Sequence, residues 1–379
     1  MLSFLLAVFL SAEVTAQQPN NTNIKAIWVI RDRLVNKKSV TEIVDTAHKF
    51  GFNHIFAQVR GRGDAYYNSR IVIKAPQVRG RNFDPLKELI TQAHKRNIKV
   101  HAWTNVYLLW SSDKKPKSKK HLLNAHPEWT AKAYGEVIDA KKNRRQFRLQ
   151  GSEGVFLAPG NPNVEKYLLS VFGELIDNYM LDGLHLDYVR YPGPEYGYNE
   201  GALDNFRAQT GVDPEIFIEN RKEISEVMGP ESVKSFRRQW TNFKLRSISS
   251  LVEGIRSMIN SSGKNVLLTA AVKPSPISAI DKNYQNWVKW IREGSLDYAV
   301  PMNYNADLKQ FMSNVEEILR VVPPDKLIMG IGAFNQNHFD VESKIYKTLS
   351  RGINDFIFFS YNEIVKDPEY IKAIGRALE

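Results

Sequence analysis

The sequence contains no cysteine, and this absence excludes several kinds of chemistry at once. We therefore expect no disulfide bonds, no thiolate metal ligands, no cysteine nucleophile and no lipid attached to a cysteine. The pattern Gly-x-Ser-x-Gly is also missing, which disfavours a serine hydrolase that places its nucleophile on a sharp strand-to-helix turn. No glycine-rich phosphate loop follows the early strands, so a nucleotide-binding fold is disfavoured as well.

Long apolar runs are scarce. The run over residues 2–10 is too short to span a bilayer, and no other segment approaches ~18 uninterrupted apolar residues. Residues 1–16 predict a signal peptide, because Val14, Thr15 and Ala16 suit the positions before a cleavage site, although the usual Lys or Arg near the start is missing. We expect a polar spacer over 17–23, a domain over 24–379, export to the periplasm or the exterior, and no stable membrane insertion.

The composition predicts a folded and basic protein. Apolar residues make up 43% of the 379 residues, which is enough for a sizeable core in one large α/β barrel or two average domains. The formal net charge of +11 would attract anionic partners. The densest basic runs, over 114–120 and 141–145, lack interleaved aromatic residues, and no nucleic-acid-binding signature is present. We expect solvated loops there and no nucleic-acid partner, with binding of an anionic polymer as the alternative.

Short apolar segments alternate with amphipathic helices along the chain. The predicted helix over 40–50, for example, carries Ile43, Val44 and Ala47 at helical spacing and stops at Gly51. Eight such strands predict a parallel sheet, and the single rhythm favours a (β/α)8 TIM barrel over a doubly wound sheet. Long insertions follow strands three and four, over 106–157 and 191–232. The predicted strands span residues 25–30, 54–60, 99–104, 183–187, 265–272, 297–303, 326–332 and 355–360.

The fourth strand carries the strongest functional signal. Its sequence, LDGLHLDYVRYP, places Leu184 and Leu186 on one face and His185 and Asp187 on the other. A strand that ends in a carboxylate and is followed by Tyr, Arg and Pro suits the mouth of a barrel, where strand ends carry catalytic groups. The alternative is structural, with Asp187 capping the next helix or pairing with Arg190.

Hydrolysis of a glycosidic bond needs two carboxyl groups that flank the bond. Asp187 is the first candidate, as nucleophile or base. The second candidate is Glu363, after strand eight, or Asp64, after strand two. Each has a structural alternative, because Glu363 could cap a helix and Asp64 could pair with Arg60 or Arg62.

Aromatic and polar side chains accompany these carboxylates at the predicted strand ends. Aromatic rings stack on sugar faces, and planar polar groups bind hydroxyl groups in pairs. His101 and His185 do not lie at a metal-ligand spacing, so we expect no metal and no cofactor. The predicted sugar-binding residues are Arg60, Trp103, Asn105, Tyr107, His185, Arg190, Asn303 and Tyr304.

Several ordered motifs resemble the glycosyl-hydrolase-like 10 family of bacterial envelope proteins. They are AIWV (26–29), FAQVRGRGDAYYNS (56–69), FDPLKELITQAHKRNIKVHAWTNVY (83–107), HPEW (126–129), LAPGNPNVEKYLLSV (157–171), DGLHLDYVRYP (182–192) and WIREGSLDYAVPMNY (290–304). The resemblance implies a (β/α)8 barrel, export and glycosidase chemistry on peptidoglycan strands or another polysaccharide, with Asp187 at the usual catalytic position. The sequence departs from many barrel glycosidases at the end of strand five, where Lys273 follows Val272 and no acid is present.

Two functions follow from these features. The first is an exported glycoside hydrolase that acts on a polymeric glycan. The second is a non-catalytic barrel that only binds the glycan in the same cleft. A second carboxyl group within roughly 5–9.5 Å of Asp187 would favour the hydrolase, because both glycosidase mechanisms need such a pair.

Overall fold

The computed structural model describes residues 23–78, 82–149 and 151–378. The predicted signal peptide over 1–16, and all but the last residue of the predicted spacer over 17–23, lie outside the described residues. Within these ranges, no helix is both long enough and apolar enough to cross a membrane.

Eight parallel strands form the central sheet, in the order β8-β7-β6-β3-β2-β1-β10-β9. The two others, β4 and β5, pair with each other in antiparallel orientation inside the first insertion. The strands are β1 (Lys25–Val29), β2 (His54–Arg60), β3 (Lys99–Asn105), β4 (Leu108–Trp110), β5 (Val155–Phe156), β6 (Gly183–Asp187), β7 (Leu267–Val272), β8 (Tyr298–Pro301), β9 (Ile328–Gly332) and β10 (Asp355–Phe359).

The sheet closes on itself between its two end strands, β8 and β9. Isolated parallel bridges join Ala299 to Leu327 and Met302 to Gly330. The backbone N–H of Asn303 donates to the carbonyl oxygen of Gly330 at 3.1 Å. The predicted (β/α)8 barrel is therefore confirmed, and the carboxyl ends of its eight strands meet at one mouth.

Helices alternate with these strands and begin at recognisable caps. Asn36 forms a capping box with Ser39 at the start of α1, and Asp84 caps α2 with Pro85 in the first turn. The helices are α1 (Lys37–Lys49), α2 (Pro85–His94), α3 (Leu122–Ala125), α4 (Arg144–Leu149), α5 (Pro162–Asn178), α6 (Glu200–Thr210), α7 (Pro214–Glu219), α8 (Arg221–Met228), α9 (Pro230–Ser262), α10 (Pro276–Asn283), α11 (Trp287–Arg292), α12 (Leu308–Leu319), α13 (His338–Leu349), α14 (Tyr361–Ile364) and α15 (Pro368–Leu378).

The structure refines several predicted boundaries. The helix predicted over 284–293 corresponds to α11, and a further helix, α10, precedes it. Tyr284 takes a left-handed conformation with φ 53° and ends α10. Helix α9 begins three residues earlier than predicted, at Pro230. The insertion predicted over 191–232 contains three helices, α6 to α8.

Apolar side chains fill three regions. The largest cluster lies between the strands and the surrounding helices, as expected for strands buried on both faces. A small cluster fills the inside of the barrel, and a third joins α6 to α9 beside the barrel through Phe206, Trp240 and Phe243. The residues inside the barrel are Ile24, Ala26, Trp28, Phe56, Trp103, Val300, Ile328 and Ile357.

Candidate active site

A cleft of about 340 Å³ opens at the mouth of the barrel, at the carboxyl ends of the strands. Aromatic rings from five strand ends form part of its wall, and two carboxylates, from Asp187 and Glu153, face it together with several cations and amides. We call this space the Asp187 cleft. Its main aromatic and polar lining residues are Trp28, Arg31, Gln58, Trp103, Asn105, Glu153, Asp187, Tyr188, Arg190, Lys273, Tyr304 and Phe359.

Asp187 is the last residue of β6 and is only 7% exposed. Its Oδ2 accepts a hydrogen bond from Trp103 Nε1 at 3.0 Å, and its Oδ1 accepts one from the backbone N–H of Tyr188 at 2.7 Å. Burial raises the pKa of this carboxyl to about 6, because loss of water disfavours the charged form more than these hydrogen bonds favour it. Asp187 can therefore hold or release a proton near neutral pH.

The residue after Asp187 turns the chain sharply. Tyr188 has a φ of 52°, in the left-handed region that a residue with a side chain rarely adopts. This conformation brings its N–H onto the Asp187 carboxylate, and the Arg190 guanidinium lies over the Tyr188 ring, 4.9 Å from its centre. Strained backbone of this kind is typical of functional sites, where the surrounding structure holds it in place.

Glu153 supplies the second carboxylate of the cleft. It lies in the segment between α4 and β5, and its Oε1 accepts a hydrogen bond from Arg190 Nη2 at 2.8 Å. Its side chain is 41% exposed, whereas that of Arg190 is almost fully buried. The negative charge of Glu153 also contributes to the raised pKa of Asp187. Glu153 can therefore meet a ligand while Arg190 holds it in place.

The aromatic rings of the cleft pack against one another through Trp28. Its ring lies 6.5 Å from that of Trp103, and the rings of Tyr304 and Phe359 meet it edge-on at 6.2 and 5.9 Å. Rings fixed in this way offer rigid apolar surfaces of the kind that sugars stack on.

The structure brings four of the predicted sugar-binding residues into this cleft: Trp103, Asn105, Arg190 and Tyr304. Asn105 is oriented by two hydrogen bonds. Its Nδ2 donates to the carbonyl oxygen of Gly61 at 2.8 Å, and its Oδ1 accepts from Gln58 Nε2 at 3.2 Å. The role of these four residues in sugar binding stays a prediction.

The other four predicted sugar-binding residues are buried and bond to their own chain. Arg60 Nη1 donates to the carbonyl oxygens of Asn105 and Val106, and Tyr107 Oη donates to that of Ser247 at 3.4 Å. Asn303 Nδ2 donates to the carbonyl oxygen of Phe311 at 2.9 Å. None of them lines the Asp187 cleft as described, and their role in sugar binding stays a prediction.

His185 is the fourth predicted sugar-binding residue outside the cleft, and it contacts Trp28, one of the rings in the wall of the cleft. Its Nε2 accepts from Trp28 Nε1 at 3.2 Å, and its Nδ1 lies 2.9 Å from Thr269 Oγ1. Burial lowers the pKa of this imidazole to about 3, so the ring is neutral. With Nε2 as the acceptor, Nδ1 carries the proton and donates it to Thr269.

The two predicted partners of Asp187 lie elsewhere. Asp64 is buried, accepts from the backbone N–H of Arg62 at 3.2 Å, and lines a neighbouring groove. Glu363 lies on α14, where both carboxylate oxygens accept from Lys366 Nζ at 3.0 Å. Neither lines the Asp187 cleft, and their catalytic role stays a prediction.

Sequence reasoning missed Glu153, Trp28 and Phe359. Trp28 had a usable signal, because alternation from Ala26 along β1 points it into the barrel with the other inward residues. Glu153 had none, because it lies in an insertion with no periodic pattern. In the part of the chain that the structure describes, no group of three or more His, Asp or Glu residues is placed to hold a metal ion.

Among solved structures, the barrel superposes on the folds of glycoside hydrolases. The glycoside hydrolase domain of PgaB (BpsB) from Bordetella bronchiseptica superposes with a TM-score of 0.71 and 14% identity, over 94% of this chain and 99% of that chain. The catalytic domain of the β-amylase from Paenibacillus polymyxa gives a TM-score of 0.58 and 10% identity, over 94% and 98% of the two chains. At these identities the likeness concerns the fold.

The chain belongs to the glycosyl hydrolase-like 10 family, whose model matches residues 22–328. It is 25% identical over 283 residues to glycosyl hydrolase DigH of Escherichia coli K12, which covers 71% of this chain and 58% of that protein. It is 22% identical over 332 residues to glycosyl hydrolase YngK of Bacillus subtilis, with 80% and 58% covered. The chain thus spans somewhat more than half the length of these two relatives.

Proposed function

We propose that this protein is an exported glycoside hydrolase that cleaves O-glycosidic bonds in a polymeric glycan, with peptidoglycan strands among the candidate substrates. One observation carries the proposal. Asp187, a buried carboxyl whose pKa is raised to about 6, shares a cleft with a second carboxylate, Glu153, among aromatic rings. Paired carboxyl groups in different environments are the requirement of glycosidase chemistry.

Asp187 serves as the proton carrier in this mechanism. Its raised pKa lets it hold a proton at mildly acidic pH and donate it to the oxygen of the leaving sugar as the bond breaks. Trp103 Nε1 and the Tyr188 N–H stabilise the carboxylate that remains. The sequence led us to expect Asp187 as the nucleophile or base. The proposed role as acid differs because it depends on the burial of the Asp187 carboxyl, which the sequence does not reveal.

Glu153 serves as the second carboxylate, which attacks the anomeric carbon or activates a water molecule. It is exposed enough to reach a substrate, and the buried Arg190 orients it through the 2.8 Å hydrogen bond. Trp28, Trp103 and Tyr304 provide the surfaces against which the sugar rings stack.

The test compares Asp187→Asn and Glu153→Gln with the unchanged protein on peptide-free peptidoglycan strands and a panel of polysaccharides. We expect each substitution to lower turnover by about 10²- to 10⁴-fold. The matched control is Glu136→Gln, an exposed glutamate of the same insertion that does not line the cleft. Undiminished turnover by either variant would remove that residue from its role. Glycan binding without turnover by the unchanged protein would support a non-catalytic glycan-binding barrel instead.

Export rests on residues 1–16, whose pattern is that of a signal peptide. Fractionation of cells that produce the full chain should find the protein outside the cytoplasm, shortened at its N-terminus. A full-length protein retained in the cytoplasm would contradict export and leave the proposed chemistry untouched.

A further inference from the structure

A larger groove, of about 990 Å³, lies beside the Asp187 cleft. The two spaces are neighbours, because Ile30 and Arg31 line both of them. Among the described residues, six cationic side chains and two carboxylates line this groove. We call it the lysine groove, after the three lysines that it takes from the first insertion, Lys114, Lys115 and Lys117.

The loop that carries these lysines is held in place through its backbone. Trp110 Nε1 donates to the carbonyl oxygen of Lys114 at 2.9 Å. Asn124 Nδ2 donates to the carbonyl oxygens of Pro116 and Ser118, at 2.7 and 2.9 Å. The structure therefore presents these exposed lysines from a loop whose backbone is anchored.

The three ammonium groups have no acidic partner in the part of the chain that the structure describes. Lys114, Lys115 and Lys117 are exposed, and across residues 23–78, 82–149 and 151–378 no carboxylate lies within ion-pair distance of them. The two carboxylates of the groove are engaged elsewhere, since Asp32 accepts from Asn362 Nδ2 and Asp64 accepts from the backbone N–H of Arg62. The positive charge of the loop is therefore available to a ligand.

The groove suits carboxylated sugars better than nucleic acid. The Arg62 guanidinium lies over the Trp110 ring, 5.8 Å from its centre, so that face is covered against a stacking base. Arg62 itself is held by Ser111, to whose Oγ its Nε donates at 3.1 Å. Because Arg31 lines both spaces, a glycan that extends from Asp187 past Arg31 would meet this groove.

We propose that the lysine groove is a binding site for the carboxylate groups of an acidic glycan, with Lys114, Lys115 and Lys117 as the principal contacts. This inference rests on the proposed function only in that the same polymer occupies both the groove and the Asp187 cleft. A uronic acid and a lactyl ether present the same carboxylate chemistry, so both are candidate sources of the charge.

The experiment measures binding, so it does not depend on turnover. The probes are polygalacturonate, peptide-free peptidoglycan strands that retain their lactyl carboxylates, the same strands with those carboxylates reduced to alcohols, and duplex DNA. The test variant is the triple substitution Lys114→Gln, Lys115→Gln and Lys117→Gln. The matched control removes the same charge from exposed lysines that do not line the groove, by Lys119→Gln, Lys120→Gln and Lys141→Gln.

We expect the test variant to bind at least one carboxylated glycan about tenfold or more weakly than the unchanged protein at low salt, with a smaller salt dependence. The control variant shows how much of the loss comes from the lower net charge of the protein. The reduced strands show how much of the binding comes from contacts other than those with the carboxylates. Binding of polygalacturonate or of the peptidoglycan strands identifies the source of the carboxylate.

Several results would overturn the inference. If the control variant weakened glycan binding equally, the effect would come from the net charge of the protein. If the test variant bound the glycans as tightly as the unchanged protein, the lysine groove would not be a binding site for them. Duplex DNA bound as tightly, with the same loss in the test variant, would mean a general polyanion site. Absence of turnover together with groove-dependent glycan binding would contradict the proposed hydrolase and support the groove.

Discussion

Trp103 and Asp187 are joined by a hydrogen bond of 3.0 Å between the indole Nε1 and the carboxylate Oδ2. The two residues lie on neighbouring strands, β3 and β6, whose parallel register places Asn105 opposite Asp187. The bond links the aromatic wall of the cleft to its buried acid, and it stabilises the charged form of that acid. Changes at Trp103 should therefore change the proton affinity of Asp187.

Replacing Trp103 by phenylalanine keeps an apolar ring and removes the donor. The pKa of Asp187 should rise further, because a hydrogen bond to the charged form is lost. A bond to a charged group is worth about 1.5–3 kcal/mol, so the descending limb of the pH–turnover profile should move upward by about one pH unit or more. Trp129→Phe, outside the cleft, is the control. A profile that does not move would contradict the role of Asp187 as the acid.

Asp187 should also make stability depend on pH. Its pKa is raised from 3.8 to about 6 in the folded protein, so the unfolded chain ionises first as the pH rises. Stability should therefore fall between about pH 4 and 6 and stay lowered above that range. Two units at 1.36 kcal/mol each give a cost of up to about 3 kcal/mol at pH 7.

The side chain in the Asp187→Asn variant cannot ionise, so the variant should not lose stability in this way as the pH rises. Its free energy of unfolding relative to the unchanged protein should increase from pH 4 to pH 7, as measured by denaturant unfolding at several pH values. Asp177→Asn, at an exposed position on α5, is the matched control substitution. A constant difference for Asp187→Asn across this range would contradict the raised pKa.

Arg190 and Glu153 should act as one unit. Arg190→Gln should lower turnover about tenfold, because Glu153 loses the partner that orients it. The double variant with Glu153→Gln should lose little more than Glu153→Gln does, since residues in one ion pair are not additive. The measurement is the turnover of the unchanged protein, the two single variants and the double variant, on a substrate that the unchanged protein accepts. Arg207→Gln, whose partners are Asp204 and Asp213, is the control. If the effects of the two substitutions on turnover were fully additive, Arg190 would not act through Glu153.

Gly183 at the start of β6 has no room for a side chain. A Cβ at this position would lie 2.1 Å from His101 Nδ1, and His101 is fully buried, stacked on Phe56 and hydrogen-bonded to His54. Gly183→Ala should therefore destabilise the fold by about 1–3 kcal/mol. Gly375→Ala on α15, where no atom lies within 4 Å, should stabilise it by about 0.5–1 kcal/mol. Thermal unfolding of both variants tests the contrast, and equal stabilities would contradict it.

Most of the architecture could be predicted from local pattern. Strand alternation and helical spacing gave eight strands in the right order, and the position of Asp187 at the tip of the fourth barrel strand followed from them. These features depend on residues that are close together in the sequence, so they can be recognised before the fold is known. The boundaries were less accurate where a single backbone conformation ends an element, as Tyr284 ends α10.

Depth within the barrel was decided by tertiary packing. Alternation placed His185 on the same face as Asp187, but it does not say how far along the barrel axis a side chain lies. His185 lies lower, bonded to Trp28 and Thr269, and Asp187 reaches the cleft. The pairing of carboxylates depended on tertiary structure even more. Glu153 is far from Asp187 in sequence and lies in an insertion without periodicity, and only the folded chain brings both to one cleft through Arg190.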